Sequence, residues 1–257
     1  MRKFWLLSIA FLALAGGAGW WFRGTLAGLW NAAFIGVQLR GQAKLQPDPE
    51  TYAVLATDLS RWRAELAKRH LSARDDAQRR AVENDARIVL EAALPAMMQC
   101  WLGTPWDFNG TAKTPGEGRI ACGYFVATVL KDAGFLVDRY KLAQQPSENI
   151  LRSFLPRNSC VLTVGKNYQK FAAELDASEP GVYVVGLDTH VAFILVSGDG
   201  FRFIHASGSR PWCVVDENRD EAEVLKRSNW RMLGHITADR EVLKRWLKAE
   251  KIVVRDA

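Results

Sequence analysis

Trp101–Phe135, WLGTPWDFNGTAKTPGEGRIACGYFVATVLKDAGF, is the stretch from which the rest of the chain is read. Its first half is a Gly-, Pro- and Thr-rich loop with scattered aromatics. Its second half, FVATVLKDAG, places Phe125, Val126, Val129 and Leu130 at helical spacing and ends on Gly134, a helix stop signal. Cys122 falls at the junction. A helix start carries partial positive charge, and the thiolate is the nucleophilic form of cysteine, so this placement suits a reactive sulfur. A lone cysteine more commonly packs as a small hydrophobe, so the functional reading needs a partner elsewhere.

The partner lies in Gly181–Gly208, GVYVVGLDTHVAFILVSGDGFRFIHASG, where two strand-like runs carry His190 and His205. A cysteine first, a histidine on a later strand and a second polar residue one strand further on is the chain order of papain-like nucleophilic catalysis. Four segments make the likeness specific: PWDFNG at Pro105–Gly110, ACGYFV at Ala121–Val126, THVAFI at Thr189–Ile194 and FIHAS at Phe203–Ser207. Together, over roughly Ala86 to Ile236, they resemble the NlpC family of papain-like cysteine peptidases that cut bacterial cell-wall peptides.

The resemblance implies an α+β fold with a papain-like, NlpC-type core, in which the cysteine opens a helix packed on an antiparallel sheet. It implies Cys122 as nucleophile, His190 as the base that takes and returns the proton, and His205 as the acceptor that fixes the base's tautomer. The backbone amide of Cys122 would face the oxyanion, assisted by Trp106, with Gly123 and Tyr124 also in the oxyanion or substrate-binding region. The implied substrate is a peptidoglycan peptide, cut next to a D-amino acid, with no cofactor. The family's residues around the cysteine, Asp and Ser, are here Ala121 and Gly123, and its loop tyrosine is Trp106. An indole N–H can donate where the phenol would, with a different reach. The chain is therefore either a divergent active branch or a copy that keeps the cleft without turnover.

The N-terminus begins MRK and continues with nineteen uncharged residues, Phe4–Phe22, before Arg23. A basic flank followed by an apolar run is an export signal. Ala13-Leu14-Ala15 offers a cleavage site, whereas the length of the run and the pair Trp20-Trp21 favour a retained membrane anchor. We divide the chain into 1–23 as signal peptide or anchor, 24–85 as helical extension and linker, and 86–257 as the hydrolase domain. Residues 24–39 are apolar at near-helical spacing and suit an interfacial helix. The expected location is outside the cytoplasm, inner-membrane anchored and facing the periplasm, or periplasmic or secreted if the leader is removed.

At 257 residues and 49% hydrophobic, the chain is long enough to bury one sizeable core. The net charge of +6 fits an anionic partner such as the cell wall or phospholipid headgroups, only weakly. Nothing resembles a nucleic-acid-binding module.

Two helices are predicted over Glu50–His70 and Ala73–Cys100, the second kinked or broken near Pro95. Its apolar face is Val82, Ala86, Ile88, Val89, Ala92 and Ala93. The basic residues of this region, among them Arg61, Arg69 and Arg80, read as a solvated face. Residues 138–180 read as an insertion shaping substrate access, with short helices from Ser147 and Asn167. Strands are predicted over Gly181–Gly186, His190–Val196, Phe201–Ala206, Trp212–Val215 and Trp230–Ile236, with SGDG at Ser197–Gly200 as a hairpin and a closing helix over Asp239–Lys248.

Period-two alternation puts Phe201, Phe203 and His205 on one face. Asp188 and Asp216 are alternatives to His205 for orienting the base, while His70 and His235 read as structural. No G-x-S-x-G serine elbow, Cys-x-x-Cys pair or His-x-x-x-His motif occurs. Of Cys100, Cys160 and Cys213, one pair could form a disulfide after export, with free thiols as the default.

Overall fold

A computed structural model describes residues 45–256. The expected leader and interfacial helix, Phe4–Leu39, lie outside them. Among the described residues no helix is long and apolar enough to cross a membrane.

The fold is α+β. Two 24-residue helices come first, α1 (Pro49–Ser72) and α2 (Asp76–Gln99). Each opens on an aspartate cap: Asp48 accepts from the Thr51 amide at 2.9 Å, with Pro49 in the first turn, and Asp75 accepts from the Gln78 amide at 2.7 Å. Then follow α3 (Cys122–Asp132), α4 (Arg139–Ala143) and α5 (Ser147–Phe154). The strand β1 (Cys160–Val164), helix α6 (Tyr168–Asp176) and strands β2 (Gly181–Leu187), β3 (Val191–Ser197), β4 (Gly200–Ala206) and β5 (Val214–Asn218) come next. Helix α7 (Glu223–Arg227), strand β6 (Trp230–His235) and helix α8 (Arg240–Leu247) complete the order.

Among the described residues six strands form one sheet in the order β1-β6-β2-β3-β4-β5, with every neighbouring pair antiparallel. Its two faces are covered differently. On one, Val182, Val184, Val191, Phe193, Ile204 and Val214 join a large core with residues of α1, α2, α3, α5 and α8. On the other, Val185, Ile194, Phe201 and Phe203 meet Phe171 and Leu175 of α6 and Leu225 of α7. Burial on both faces is why β2 and β3 read as nearly continuous apolar runs.

Helix α3 lies in the larger core. Phe125 packs edge-on against Trp101 and Phe193 at 6.0 and 5.8 Å between ring centroids. Its C-terminus closes on Gly134 at φ 96°, where the amides of Gly134 and Phe135 bond back to Lys131 and Leu130. These contacts fix the axis of α3 and so the position of its first residue, Cys122.

Three expectations need correction. Helix α2 is not broken at Pro95 but runs through it as one helix, because the buried Pro95 and its neighbours Leu94, Met97 and Met98 offset a proline penalty of about 3 kcal/mol by core burial. The boundary expected between residues 85 and 86 falls inside α2, whose Val82 and Ala86 share one core; the described residues form one compact unit. Residues 138–180 are not one insertion, since they contain the edge strand β1, paired along its length with β6, and helix α6, which covers the second sheet face. Strand ends also shift: β3 begins at Val191 rather than His190, and the fourth strand is Val214–Asn218 rather than Trp212–Val215.

Candidate active site

Cys122 is the first residue of α3, and Ala121 before it has no side chain able to cap the helix. The helical ladder starts with the Phe125 amide bonding to the Ala121 carbonyl, which leaves the amides of Cys122, Gly123 and Tyr124 without a partner in the helix. The amides of Cys122 and Gly123 act on the sulfur together with the helix dipole. The loop before Cys122 is anchored on both sides: Ala121 donates to the Gly110 carbonyl at 2.9 Å and Ile120 to the Pro105 carbonyl at 2.9 Å.

A cleft of about 490 Å³ opens beside the sulfur, lined among others by Cys122, Gly123, Gln145, Ser147, His190 and Trp230. The backbone N–H of Val191 faces the sulfur and favours its thiolate, so Cys122 meets the start of β3 one residue from His190. The thiol and the His190 imidazole share the cleft without a direct hydrogen bond. Burial is the largest influence on the thiol and holds its pKa above the ordinary range, outweighing the amides that favour the anion. The resting sulfur is a thiol.

His190 Nε2 lies 2.8 Å from Nδ1 of His205, with the rings nearly perpendicular. Burial, and secondly the charge of its neighbour, lower the pKa of His190; burial alone brings His205 down to about 3. Both imidazoles are therefore neutral near pH 7. His205 has no exposed surface, and its ring rests on Phe203 at 4.4 Å between centroids. Its second nitrogen, Nε2, lies 3.2 Å from Oε2 of Glu217. Glu217 stands opposite Phe203 in the β4–β5 pairing, on the sheet face that His205 shares.

Cys122, His190 and His205 are thus brought to one place, and Gly123 lines the same cleft. Trp106 is not among the cleft-lining residues: its ring tilts against Trp212 at 5.6 Å and passes over Gly208. Tyr124 does not line the cleft either. It meets Tyr140 edge to face and receives the Arg139 guanidinium at 4.9 Å from its ring centroid, while its hydroxyl accepts from Gln144 at 3.3 Å.

Of the alternative carboxylates, Asp188 lines the cleft, but both are engaged by other partners. Asp188 accepts from the Ser228 hydroxyl at 2.6 Å and the Asn229 amide at 2.7 Å, and Asp216 takes Arg202 and Gln99. His70 pairs with Glu83 at 3.2 Å, and His235 stacks on Tyr183 at 4.0 Å. Basic residues of the first two helices are paired as well: Arg69 with Asp85 and Arg80 with Asp76, each at 2.6 Å. All four cysteines are free thiols. Among the described residues no three His, Cys, Asp or Glu side chains converge as a metal ion would require.

The residue that sequence reasoning missed is Glu217. The signal was present in the register: a charged residue in β5 on the face of Phe203 and His205 breaks the apolar pattern of that layer. It became visible only once the strand was placed at Val214–Asn218. Gln145, Ser147 and Trp230 were equally unreadable as cleft residues, because two separate segments meet there.

Gly123 has a reason of its own. A Cβ at this position would lie 2.3 Å from the Ala143 carbonyl oxygen, at the end of α4. A side chain here does not fit without moving that wall. No protein-family model, curated protein or solved structure matches this chain.

Proposed function

We propose that the chain is an exported cysteine hydrolase that cleaves an amide bond in bacterial cell-wall peptides, on a papain-like core similar to that of the NlpC family. The observation that carries the reading is the opening of Cys122 and His190 on one cleft, with His190 held through its Nε2 by the buried His205. That bond leaves Nδ1 of His190 as the nitrogen available to a substrate-side proton.

In this reading the Cys122 proton passes to His190 Nδ1 as the sulfur attacks the acyl carbon. The negative charge moves to the carbonyl oxygen, which accepts from the free amides at the start of α3. Collapse of the intermediate breaks the C–N bond, and the His190 imidazolium returns its proton to the leaving amine. Water, deprotonated by His190, then attacks the thioester and releases the acid and the thiol. Because both groups rest neutral, His190 acts as a general base during attack rather than through a standing ion pair. The run Phe4–Phe22 serves as an export signal or a membrane anchor, which places the cleft on the wall side. No cofactor is needed.

The same parts suit an amidase or acyltransferase acting on lipid or small amides. A non-catalytic wall-binding or scaffolding domain is favoured instead by the raised thiol pKa and by the lack of a hydrogen bond between Cys122 and His190. Digestion of purified wall fragments by the full chain, with products read by mass spectrometry, separates these readings. Hydrolysis lost in Cys122→Ala supports the peptidase and names the bond; wall binding without products in the wild type leaves the scaffold.

A further inference from the structure

We propose that Glu217 is a positioning residue that sets the polarity of the His190–His205 hydrogen-bond chain, and so decides whether His190 can accept the proton of Cys122. The proposal rests on the hydrolase reading for its consequence and on geometry for its content.

The chain has two links, His190 Nε2 to His205 Nδ1 at 2.8 Å and His205 Nε2 to Glu217 Oε2 at 3.2 Å. With both imidazoles neutral, each ring carries one N–H, so the links must run in the same direction. An ionised carboxylate only accepts. It draws the N–H of His205 to Nε2, which makes Nδ1 the acceptor for His190 Nε2–H, and the lone pair of His190 is left on Nδ1, free to act as base. A protonated Glu217 donates to His205 Nε2 and reverses both links. His190 then carries its proton on Nδ1 and has nothing with which to take one from the thiol. Only O–H and N–H bonds change: Glu217 takes one proton from solvent, and each ring loses its Nε2–H and gains an Nδ1–H, so both imidazoles stay neutral.

Glu217 is placed to titrate. It is four-fifths buried, with side-chain exposure of 19%, while His205 beneath it has none. Burial is the largest influence on it, joined by Glu221 and Glu223 across the turn and α7; Arg202 of β4 and Lys226 of α7 oppose them. Its neighbour Asp216 is taken up by Arg202 and Gln99. The balance lifts the Glu217 carboxyl to about 7. The sign follows: above about pH 7 the carboxylate enforces the base-competent polarity, and below it the reversed one gains.

The test is nitrogen NMR of the full chain labelled at histidine, in the wild type and in Glu217→Gln. The chain has only four histidines, so substitutions of His70 and His235 assign the remaining pair. At pH 8.5 both Nε2 atoms of His190 and His205 should carry the proton, and lowering the pH to 5.5 should transfer it to both Nδ1 atoms. In Glu217→Gln that transition should vanish, since the amide does not titrate. A wild-type pair that keeps one tautomer across this range, or a variant that titrates like the wild type, overturns the proposal. Should the variant fail to fold, the wild-type titration decides alone.

Wall-fragment hydrolysis supplies a second readout. Wild-type kcat/KM should fall about tenfold per pH unit below pH 7; in Glu217→Gln this limb should disappear, with a loss of roughly ten- to hundred-fold at pH 8, the worth of a hydrogen bond to a charged group. A merely structural role would lower the rate at every pH and leave the limb in place. Hydrolysis that depends on Cys122 but shows an unchanged profile in the variant refutes the role of Glu217 and keeps the hydrolase. Tautomers that switch as described in a protein without Cys122-dependent hydrolysis refute the hydrolase and keep the switch.

Discussion

Gly123→Ala offers a sharp test of the cleft wall, because two physical effects at this position have opposite signs. Helix propensity alone makes Gly to Ala inside a helix stabilising by about 1 kcal/mol. The added Cβ, however, would lie 2.3 Å from the Ala143 carbonyl oxygen and 3.2 Å from its carbonyl carbon. That neighbour is backbone, held by the short helix α4, whose Leu142 amide bonds to the Asp138 carbonyl at 2.9 Å, so it cannot rotate away as a flexible side chain would. Overpacking of this kind costs about 1–3 kcal/mol. The clash, being against rigid backbone, belongs at the upper end, and the net loss is about 1–2 kcal/mol. For a chain of this size the expected fall in Tm is about 2–8 °C. Thermal unfolding followed by circular dichroism measures it, with Gly198→Ala as the control, since a Cβ there meets nothing within 4 Å. A Gly123→Ala variant as stable as the wild type, or more so, would refute the close approach of α4 to the start of α3.

Removing the ring in Phe125→Ala, which packs between Trp101 and Phe193, should cost about 3–5 kcal/mol and show as a large drop in the urea midpoint; a change below 1 kcal/mol would contradict the placement of α3 in the core. His205→Ala should reduce kcat on wall fragments far more than it raises KM, because it releases His190 without touching substrate; an effect on KM alone would argue against an orienting role. Stability should also fall in acid. His235 has its pKa lowered by burial from 6.5 to about 4, so the folded form binds fewer protons than the unfolded chain between these values, and the contribution present above pH 6.5 is lost as the pH drops towards 4. Denaturation at pH 7, 6 and 5 should therefore show a shallower slope in His235→Gln than in the wild type, by at most about 1.4 kcal/mol per pH unit; equal slopes would exclude His235 as a source.

Much of the secondary structure was legible because local signals agreed with the final packing. Gly134 closes α3, and the SGDG turn joins β3 to β4. Failures occurred where tertiary contacts outweighed local preference. Of the kink or break that Pro95 announces, core burial excludes the break. β1 was missed because an edge strand has only one neighbour: Val161, Leu162 and Val164 remain exposed, so the segment lacks the alternation that marks a half-buried strand. Trp106 looked like a cleft residue from its place before Cys122, but its ring went to Trp212 and Gly208.

The order of residues along the chain determined an α+β body, a cysteine at a helix start and two histidines on strands that follow, because capping, periodicity and turn chemistry act over a few neighbouring residues. Distances between segments were decided only in three dimensions. That the Cys122 sulfur rests by the Val191 amide, that His190 leans on His205, and that Glu217 ends the chain on the far side of His205 depend on the packing of α3 against the sheet and the register of β4 on β5. Those are set by the summed burial of two cores, and no local stretch of sequence contains that sum.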